Sequence, residues 1–224
     1  MEKKRLILFG SGGQAKIVLD LIEQSKSHNL MGFIDFKDYN KNFEKKCPYL
    51  GRIENIDQIF RKIDIQKCEG IIAIGSNISR SKVAKAINLR INNFKFANLI
   101  HPSCIVSSSI SFGEGNLILA GSVICADTII KNHVSINTGS HIDHDNFFEN
   151  FSSTGPGVYT GGNVEIGERS FLGIGSSIKH KIKIGNDTVI GANSFVNKNC
   201  ENNSLYFGVP AKKIREREPD EEYL

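Results

Sequence analysis

From Ile100 onward the apolar residues of this chain fall on every sixth position. Ile100, Val106, Phe112, Ile118, Ile124, Ile130, Ile136, Ile142, Phe148, Thr154, Thr160, Ile166, Leu172, Ile178, Ile184, Ile190 and Val196 make seventeen such positions, fifteen of them large and apolar. An apolar share of 40% would supply about seven by chance. Two residues before most of them stands something small: Cys104, Ser122, Thr128, Ser140, Ser152, Ser170, Ser176, Thr188 and Ser194. One residue after, glycine recurs at 113, 155, 161, 167, 173, 185 and 191. A period of six suits neither an α-helix nor a lone strand and is the signature of a hexapeptide β-helix. Each hexapeptide is a short strand plus a turn, three make one triangular coil, and the aliphatic residue points inward onto its equivalent one coil along. Burying each Ile or Leu is worth roughly 1.5–3 kcal/mol, so this stack makes a substantial core without helices. The recurrent glycine is expected to supply the backbone angles of the corner.

The first hundred residues follow a different rhythm. Lys4 to Phe9 reads as a buried parallel strand, Gly10-Ser-Gly-Gly13 as a turn, and Ala15 to Ile22 as a helix with Ile17, Val18, Leu21 and Ile22 at helical spacing. A second strand, Leu30 to Ile34, ends in Asp35-Phe-Lys37. A third, Gly70 to Ile74, runs into Gly75-Ser-Asn77-Ile-Ser-Arg80, with Ser79 or Ser81 as the cap of a helix reaching about Ile91. Strand, glycine turn and helix open a Rossmann-like unit, and such turns bring backbone N–H groups against phosphate. The glycine turn alone serves equally as a plain connector. The three strand ends would share the carboxyl edge of one sheet, where open α/β sheets bind ligands. About 95 residues are too few for a full dinucleotide fold, so a nucleotide or the nucleotide end of a larger substrate is expected.

The chain therefore divides into a Rossmann-like βαβ domain over 1–97, a β-helix over 98–204 and an extension over 205–224. In that extension, Leu205 to Ile214 is expected to leave the coil and the charged tail from Arg215 to be solvated. A net charge of +4, without a basic stripe, argues against a nucleic-acid partner. The apolar run Leu6 to Phe9 is too short for a signal segment or a membrane span. Five widely spaced cysteines without C-x-x-C (Cys47, Cys68, Cys104, Cys125, Cys200) suggest a reduced, cytoplasmic protein with no disulfide framework and no zinc site.

Within the repeat one polar cluster stands out, Asn137-Thr-Gly-Ser-His141-Ile-Asp143-His144-Asp145. With Ile142 inward, His144 falls near a corner and faces out. A histidine takes a proton near neutral pH, and a carboxylate beside it fixes its tautomer. The cluster also reads as a solvated polar corner. His141, Asp143 and His144 match no regular metal spacing. Thr154 and Thr160 interrupt the apolar stack one coil further along. Either function overrides packing there, or the hydroxyls bond a local carbonyl.

Gly10-Ser-Gly-Gly, Asp35-Phe-Lys37, Ala73-Ile-Gly-Ser-Asn77, Ile136-Asn-Thr138, His144-Asp145, Gly161-Gly-Asn163 and Gly208-Val-Pro-Ala-Lys212 occur in an order that resembles the hexapeptide-repeat sugar acetyltransferases. These are the nucleotide-linked amino-sugar N-acetyltransferases and the sialic acid O-acetyltransferases. The resemblance covers nearly the whole chain. It implies a left-handed β-helix, a homotrimer, and acetyl-CoA as co-substrate in the groove between adjacent prisms, with no metal and no membrane insertion. It implies His144 as general base oriented by Asp145, the Gly162 N–H as oxyanion donor and Asn137 positioning the acceptor. The donor would be lined by Ser153, Ile174, Gly191, Ala192, Val209 and Pro210. Gly10, Ser11, Gly12, Gly13, Asp35, Lys37, Gly75, Asn77 and Arg80 would hold a nucleotide-linked amino sugar. Two departures stand out: Gln14 and Ser153 occupy positions where the family often has histidine. The function implied is N-acetylation of a 4-amino-4,6-dideoxy sugar nucleotide for surface glycans. O-acetylation of sialic acid, or a non-catalytic trimeric scaffold, are the alternatives.

Overall fold

The computed structural model describes residues 3–36, 39–64, 67–218 and 220–223. It forms two compact units, Met1–Leu99 and Ile100–Leu224.

The first unit is a four-stranded parallel sheet flanked by helices. Its elements run β1 (Lys4–Phe9), α1 (Gly13–Ser25), β2 (His28–Asp35), α2 (Lys41–Glu44), β3 (Tyr49–Arg52), α3 (Ile56–Lys62), β4 (Cys68–Ile72) and α4 (Asn77–Arg90). Strand order is β3-β2-β1-β4. Leu6, Ile7 and Leu8 of the central β1 are fully buried, as a strand covered on both faces requires. The short β3 offers only Leu50 as an aliphatic residue and so gives no strand pattern. The sequence reading missed α3, although Ile56, Ile59 and Phe60 stand at helical spacing in it and are buried. Helix α4 begins earlier than expected. Ser76 is its cap, accepting from the Ser79 N–H at 3.2 Å, so Ser79 is a donor there and not the capping side chain.

The second unit is a left-handed parallel β-helix. Two-residue strands pair eighteen residues apart, as in Ser153 with Phe171, His141 with Tyr159 and Phe147 with Glu165. They build three faces, whose outward columns include Leu117, Ser135, Ser153, Phe171 and Val189 on the first. The second presents Val123, His141 and Tyr159, and the third Ile129, Phe147 and Glu165. The second residue of each strand points in, and Ile118, Ile130, Ile136, Phe148, Ile166, Leu172 and Ile190 are all 0% exposed.

The corners are built differently from the expectation. The left-handed backbone angles belong to the third residue after each inward one. Asp127, His133, Asp145, Phe151, Asn163, Arg169, Lys181, Asp187 and Asn193 have φ between 52° and 61° there. That column is mostly Gly, Asp and Asn, the residues that tolerate this conformation best. The glycine directly after the inward residue is required by close approach instead. A Cβ on Gly167 would lie 2.5 Å from the Gly185 carbonyl carbon one coil along. Gly167→Ala is therefore expected to destabilise the β-helix by about 1–3 kcal/mol, read as a lowered denaturant midpoint; an unchanged midpoint would refute the close-approach account.

The extension does not leave the coil. Ser204–Gly208 adds a parallel strand beside Val189–Ile190, and Ala211–Glu216 returns antiparallel to it, with Val209 and Pro210 between them. Tyr206, 8% exposed, continues the core beyond Ile190. The charged tail is not simply solvated either. Arg217 is 7% exposed and donates to the Asp187 carbonyl at 2.7 Å. Arg215 grips both carboxylate oxygens of Glu221 at 2.7 and 2.9 Å, which holds that carboxyl down at about 2.

Candidate active site

The corner between the second and third faces carries the only histidine–aspartate ion pair among the described residues. Asp145 takes the left-handed turn position (φ 58°), which throws its carboxylate back along the edge. Its Oδ2 lies 2.6 Å from His144 Nδ1. A carboxylate only accepts, so Nδ1 carries the proton and the Nε2 lone pair is left open. The hydrogen bond to Asp145 raises the His144 pKa above the ordinary histidine value; desolvation opposes it, and the charges of Asp143, Asp145 and Asp127 add to the rise.

One coil further along the same edge, Gly162 lies under this imidazole. A Cβ there would stand 2.6 Å from both His144 Cε1 and Nε2, so glycine is what lets the ring settle. The Gly162 carbonyl accepts from the Lys181 N–H at 2.9 Å, while its own N–H makes no hydrogen bond within the described residues. Asn146 ties the two coils together. It is 1% exposed, and its Nδ2 donates to the Asp143 carbonyl at 2.6 Å and the Gly161 carbonyl at 3.0 Å. The sequence reading missed this residue. Its signal was an asparagine two residues before inward Phe148, where the repeat mostly places Ser, Thr or an aliphatic residue.

The interrupted stack has a definite cause. At Asn137 and Asp143 the ladder N–H does not meet a carbonyl. Asn137 N–H donates to Thr154 Oγ1 at 2.8 Å and Asp143 N–H to Thr160 Oγ1 at 3.4 Å. The two threonine hydroxyls are acceptors for backbone donors, not donors to a local carbonyl, and they satisfy polar groups that burial would otherwise penalise. Thr154 holds the start of the turn that leads into the strand His141–Ile142, and Thr160 holds the residue directly after that strand, one before His144.

The remaining candidates fall into separate groups. Asn137, Ile174 and Ala192 lie along the corner between the first and second faces, so one chain does not bring them to His144 and Gly162, which occupy the next corner. Ile174 is 57% and Val209 74% exposed, and Pro210 is exposed beside it. Gly191 is covered, contrary to expectation: the Phe207 ring sits where its Cβ would be, so it seats the hairpin. Ser153 faces outward on the first face yet is buried, with the Tyr223 hydroxyl 3.4 Å from its Oγ. Among the described residues no group of three or more His, Cys, Asp or Glu is arranged to hold a metal ion. No helix among them is long and apolar enough to cross a membrane.

In the first unit the glycine turn and the end of β2 meet. Ser11 Oγ donates to Asp35 Oδ2 and accepts from the Asn40 N–H at 2.9 Å, while Asp35 Oδ1 accepts from the Phe36 N–H at 2.8 Å. Gly12 and Gly13 are exposed at the start of α1, whose first-turn N–H groups have no side-chain cap. Asn77 and Arg80 correct the expectation of ligand-facing side chains. They are 0% and 2% exposed, and the Arg80 guanidinium donates to the Ile74 carbonyl at 2.9 Å, the Gly75 carbonyl at 3.1 Å and Asn77 Oδ1 at 2.6 Å. Both side chains shape the Gly75 loop from within. Lys37 lies outside the described residues.

Comparison with known proteins agrees with this division. Residues 5–87 match the PglD N-terminal domain family, and residues 163–198 match the bacterial transferase hexapeptide family of six repeats. UDP-N-acetylbacillosamine N-acetyltransferase of Bacillus subtilis is 34% identical over 119 residues, 52% of this chain and 52% of that protein. This chain thus matches about half the length of that curated relative. A histidine-to-alanine variant of GDP-perosamine N-acetyltransferase from Caulobacter crescentus, solved with CoA and GDP-perosamine, is 31% identical with a TM-score of 0.82. That match covers 94% of this chain and 97% of the other. The acetyltransferase domain of PglB from Neisseria gonorrhoeae, solved with acetyl coenzyme A, is 25% identical with a TM-score of 0.84, covering 95% and 100%. On the near-complete match to the Caulobacter enzyme, together with both family matches, the chain belongs to the hexapeptide-repeat sugar acetyltransferases that carry a PglD-type N-terminal domain.

Proposed function

We propose that this chain transfers the acetyl group of acetyl-CoA to the amine of a nucleotide-activated 4-amino-4,6-dideoxy sugar in surface glycan biosynthesis. The observation that carries the reading is the His144–Asp145 pair, with the open Nε2 beside Gly162. It stands in a chain similar over nearly its full length to an enzyme solved with CoA and GDP-perosamine.

In this mechanism Nε2 takes a proton from the sugar amine as its nitrogen attacks the thioester carbonyl. The C–N bond forms, the carbonyl oxygen becomes an oxyanion and accepts from the Gly162 N–H. The C–S bond then breaks, and the imidazolium returns its proton to the departing CoA sulfur. A positioned base supplies about 10²–10⁴ in rate and one oxyanion donor about 10²–10³. Holding donor and acceptor together must supply the rest. Asn137 positions the acceptor, and Ser153, Ile174, Ala192 and the Val209-Pro210 turn line the donor path. Because these lie on a different corner or face from His144, we place each site between two chains of a homotrimer. The glycine turn Gly10–Gly13, exposed at Gly12 and Gly13, holds the nucleotide together with Ser11 and Asp35, supported by the buried Asn77 and Arg80 behind Gly75.

The test is a free-CoA assay with acetyl-CoA and a panel of UDP-, dTDP- and GDP-linked 4-amino-4,6-dideoxy sugars. Failure with every one, alongside turnover of sialic acid, would replace this reading with O-acetyl transfer.

A pH profile follows from the same pair. Only neutral His144 is a base, so kcat/KM should fall as pH drops through a pKa lying above the usual histidine value. Asp145→Asn removes the carboxylate that raises it, so the acidic limb should move to lower pH. The plateau should drop at least about tenfold, because the ring loses its fixed tautomer. A limb that stays in place would disconnect Asp145 from the base.

A further inference from the structure

We propose that Tyr223 is a specificity-determining residue that limits the length of the acyl group beside Ser153. The inference rests on the reading of Ser153 as a donor contact.

Chain termini are usually loose unless something ties them down. Here the described residues 215–218 and 220–223 are tied at several points. The Arg217 N–H donates to the Asn203 carbonyl at 2.7 Å and its guanidinium to the Asp187 carbonyl and the Glu221 carbonyl. The Glu221 N–H closes a turn onto the Glu218 carbonyl at 3.2 Å, and Arg215 holds the Glu221 carboxylate. The product of this hook is one placed ring. Tyr223 stacks on Phe171 with centroids 4.3 Å apart and planes 16° from parallel, and its hydroxyl reaches Ser153 Oγ at 3.4 Å.

The location is unusual on this β-helix. Outward residues of the other faces stay open, with Ile105 68%, Tyr159 51% and Ile129 40% exposed. On the first face Ser135 and Ser153, paired neighbours in adjacent coils, are 7% and 4% exposed. Both serines are small side chains on the face that carries Phe171, and Tyr223, stacked on Phe171, brings its hydroxyl over Ser153. The space above Ser153 is thus set by a side chain seventy residues away in sequence. An acetyl group needs little room there, while each added methylene would meet the ring. Truncating the ring opens a volume that longer straight-chain acyl groups can fill.

Isothermal titration of the full chain with acetyl-CoA and butyryl-CoA tests this without an acceptor sugar. Wild type should bind acetyl-CoA and discriminate against butyryl-CoA. Tyr223→Ala should shrink that discrimination by about tenfold or more, within the range that one or two misfitting methylenes command. Tyr223→Phe, which keeps the ring on Phe171, should retain the wild-type ratio, whereas a merely structural tail would leave the ratio untouched in every variant. Tyr223→Leu, measured beside the alanine variant, preserves an apolar contact with Phe171 and should give an intermediate ratio. Equal butyryl-to-acetyl ratios in wild type, Tyr223→Ala and Tyr223→Leu would overturn the role of Tyr223 and leave the donor-site reading standing. Absence of acetyl-CoA binding to the wild type would instead overturn the donor-site reading, and this inference with it.

Discussion

Replacing His144 by alanine is expected to lower kcat at least ~10² while leaving fold and assembly intact. The side chain is 55% exposed and contributes little to packing; its one strong partner is Asp145 at 2.6 Å. The backbone N–H of His144 donates to Asp143 Oδ1 at 2.8 Å, a bond that alanine keeps. Surface changes of this kind usually move stability by no more than about 0.5 kcal/mol. The loss should therefore appear in turnover and not in the melting temperature. Free-CoA kinetics beside a thermal melt decide it, and near-normal turnover would remove His144 from the mechanism.

Gly162→Ala should cost as much by an indirect route. The backbone at Gly162 is outside the left-handed region, so alanine is conformationally acceptable. Its Cβ, however, would fall 2.6 Å from His144 Cε1 and Nε2. The imidazole is the free end of an exposed side chain and can swing aside at small cost in stability. Doing so breaks its alignment with Asp145 and moves Nε2 from the Gly162 N–H, the two groups that must act on the same reacting centre. A loss on the order of 10² in kcat is expected, with the melting temperature nearly unchanged. Gly173→Ala makes the contrast, because there the added Cβ would meet the Ile190 carbonyl oxygen at 2.6 Å, which cannot swing away. A double-mutant cycle identifies the route. In a His144→Ala background the ring is already gone, so Gly162→Ala should add little. Multiplying losses would show that Gly162 acts independently of the base.

Most of the second unit was legible because its contacts are regular. Each strand meets its equivalents eighteen residues away, so burial repeats along the chain and Ile118, Ile136, Leu172 and Ile190 announce themselves by spacing. The position of His144 at a corner followed from inward Ile142 alone. The left-handed column was also present, as Gly, Asp and Asn three places after the inward residue, but the more visible glycines one place after drew the assignment. Those glycines answer to the neighbouring coil's backbone, a distance that spacing does not express. In the first unit the buried β1 and the glycine turn were readable, whereas the inward turn of Arg80 was not. An arginine after a strand end suggests a ligand contact, and only the carbonyls of Ile74 and Gly75 converging on it turn it inside.

What the sequence alone determined was the β-helix, its inward stack, the Rossmann-like unit before it and the histidine–aspartate pair on an outer corner. Periodic burial and a local dipeptide are properties of neighbours and near-neighbours along the chain. The tertiary structure alone decided that Gly162 makes the seat for the imidazole, that threonine hydroxyls replace ladder carbonyls, and that the tail lays Tyr223 over Ser153. Each of these joins residues seventeen to seventy positions apart without a repeating trace. Their energies depend on where a single atom comes to rest, which no pattern of residue types records.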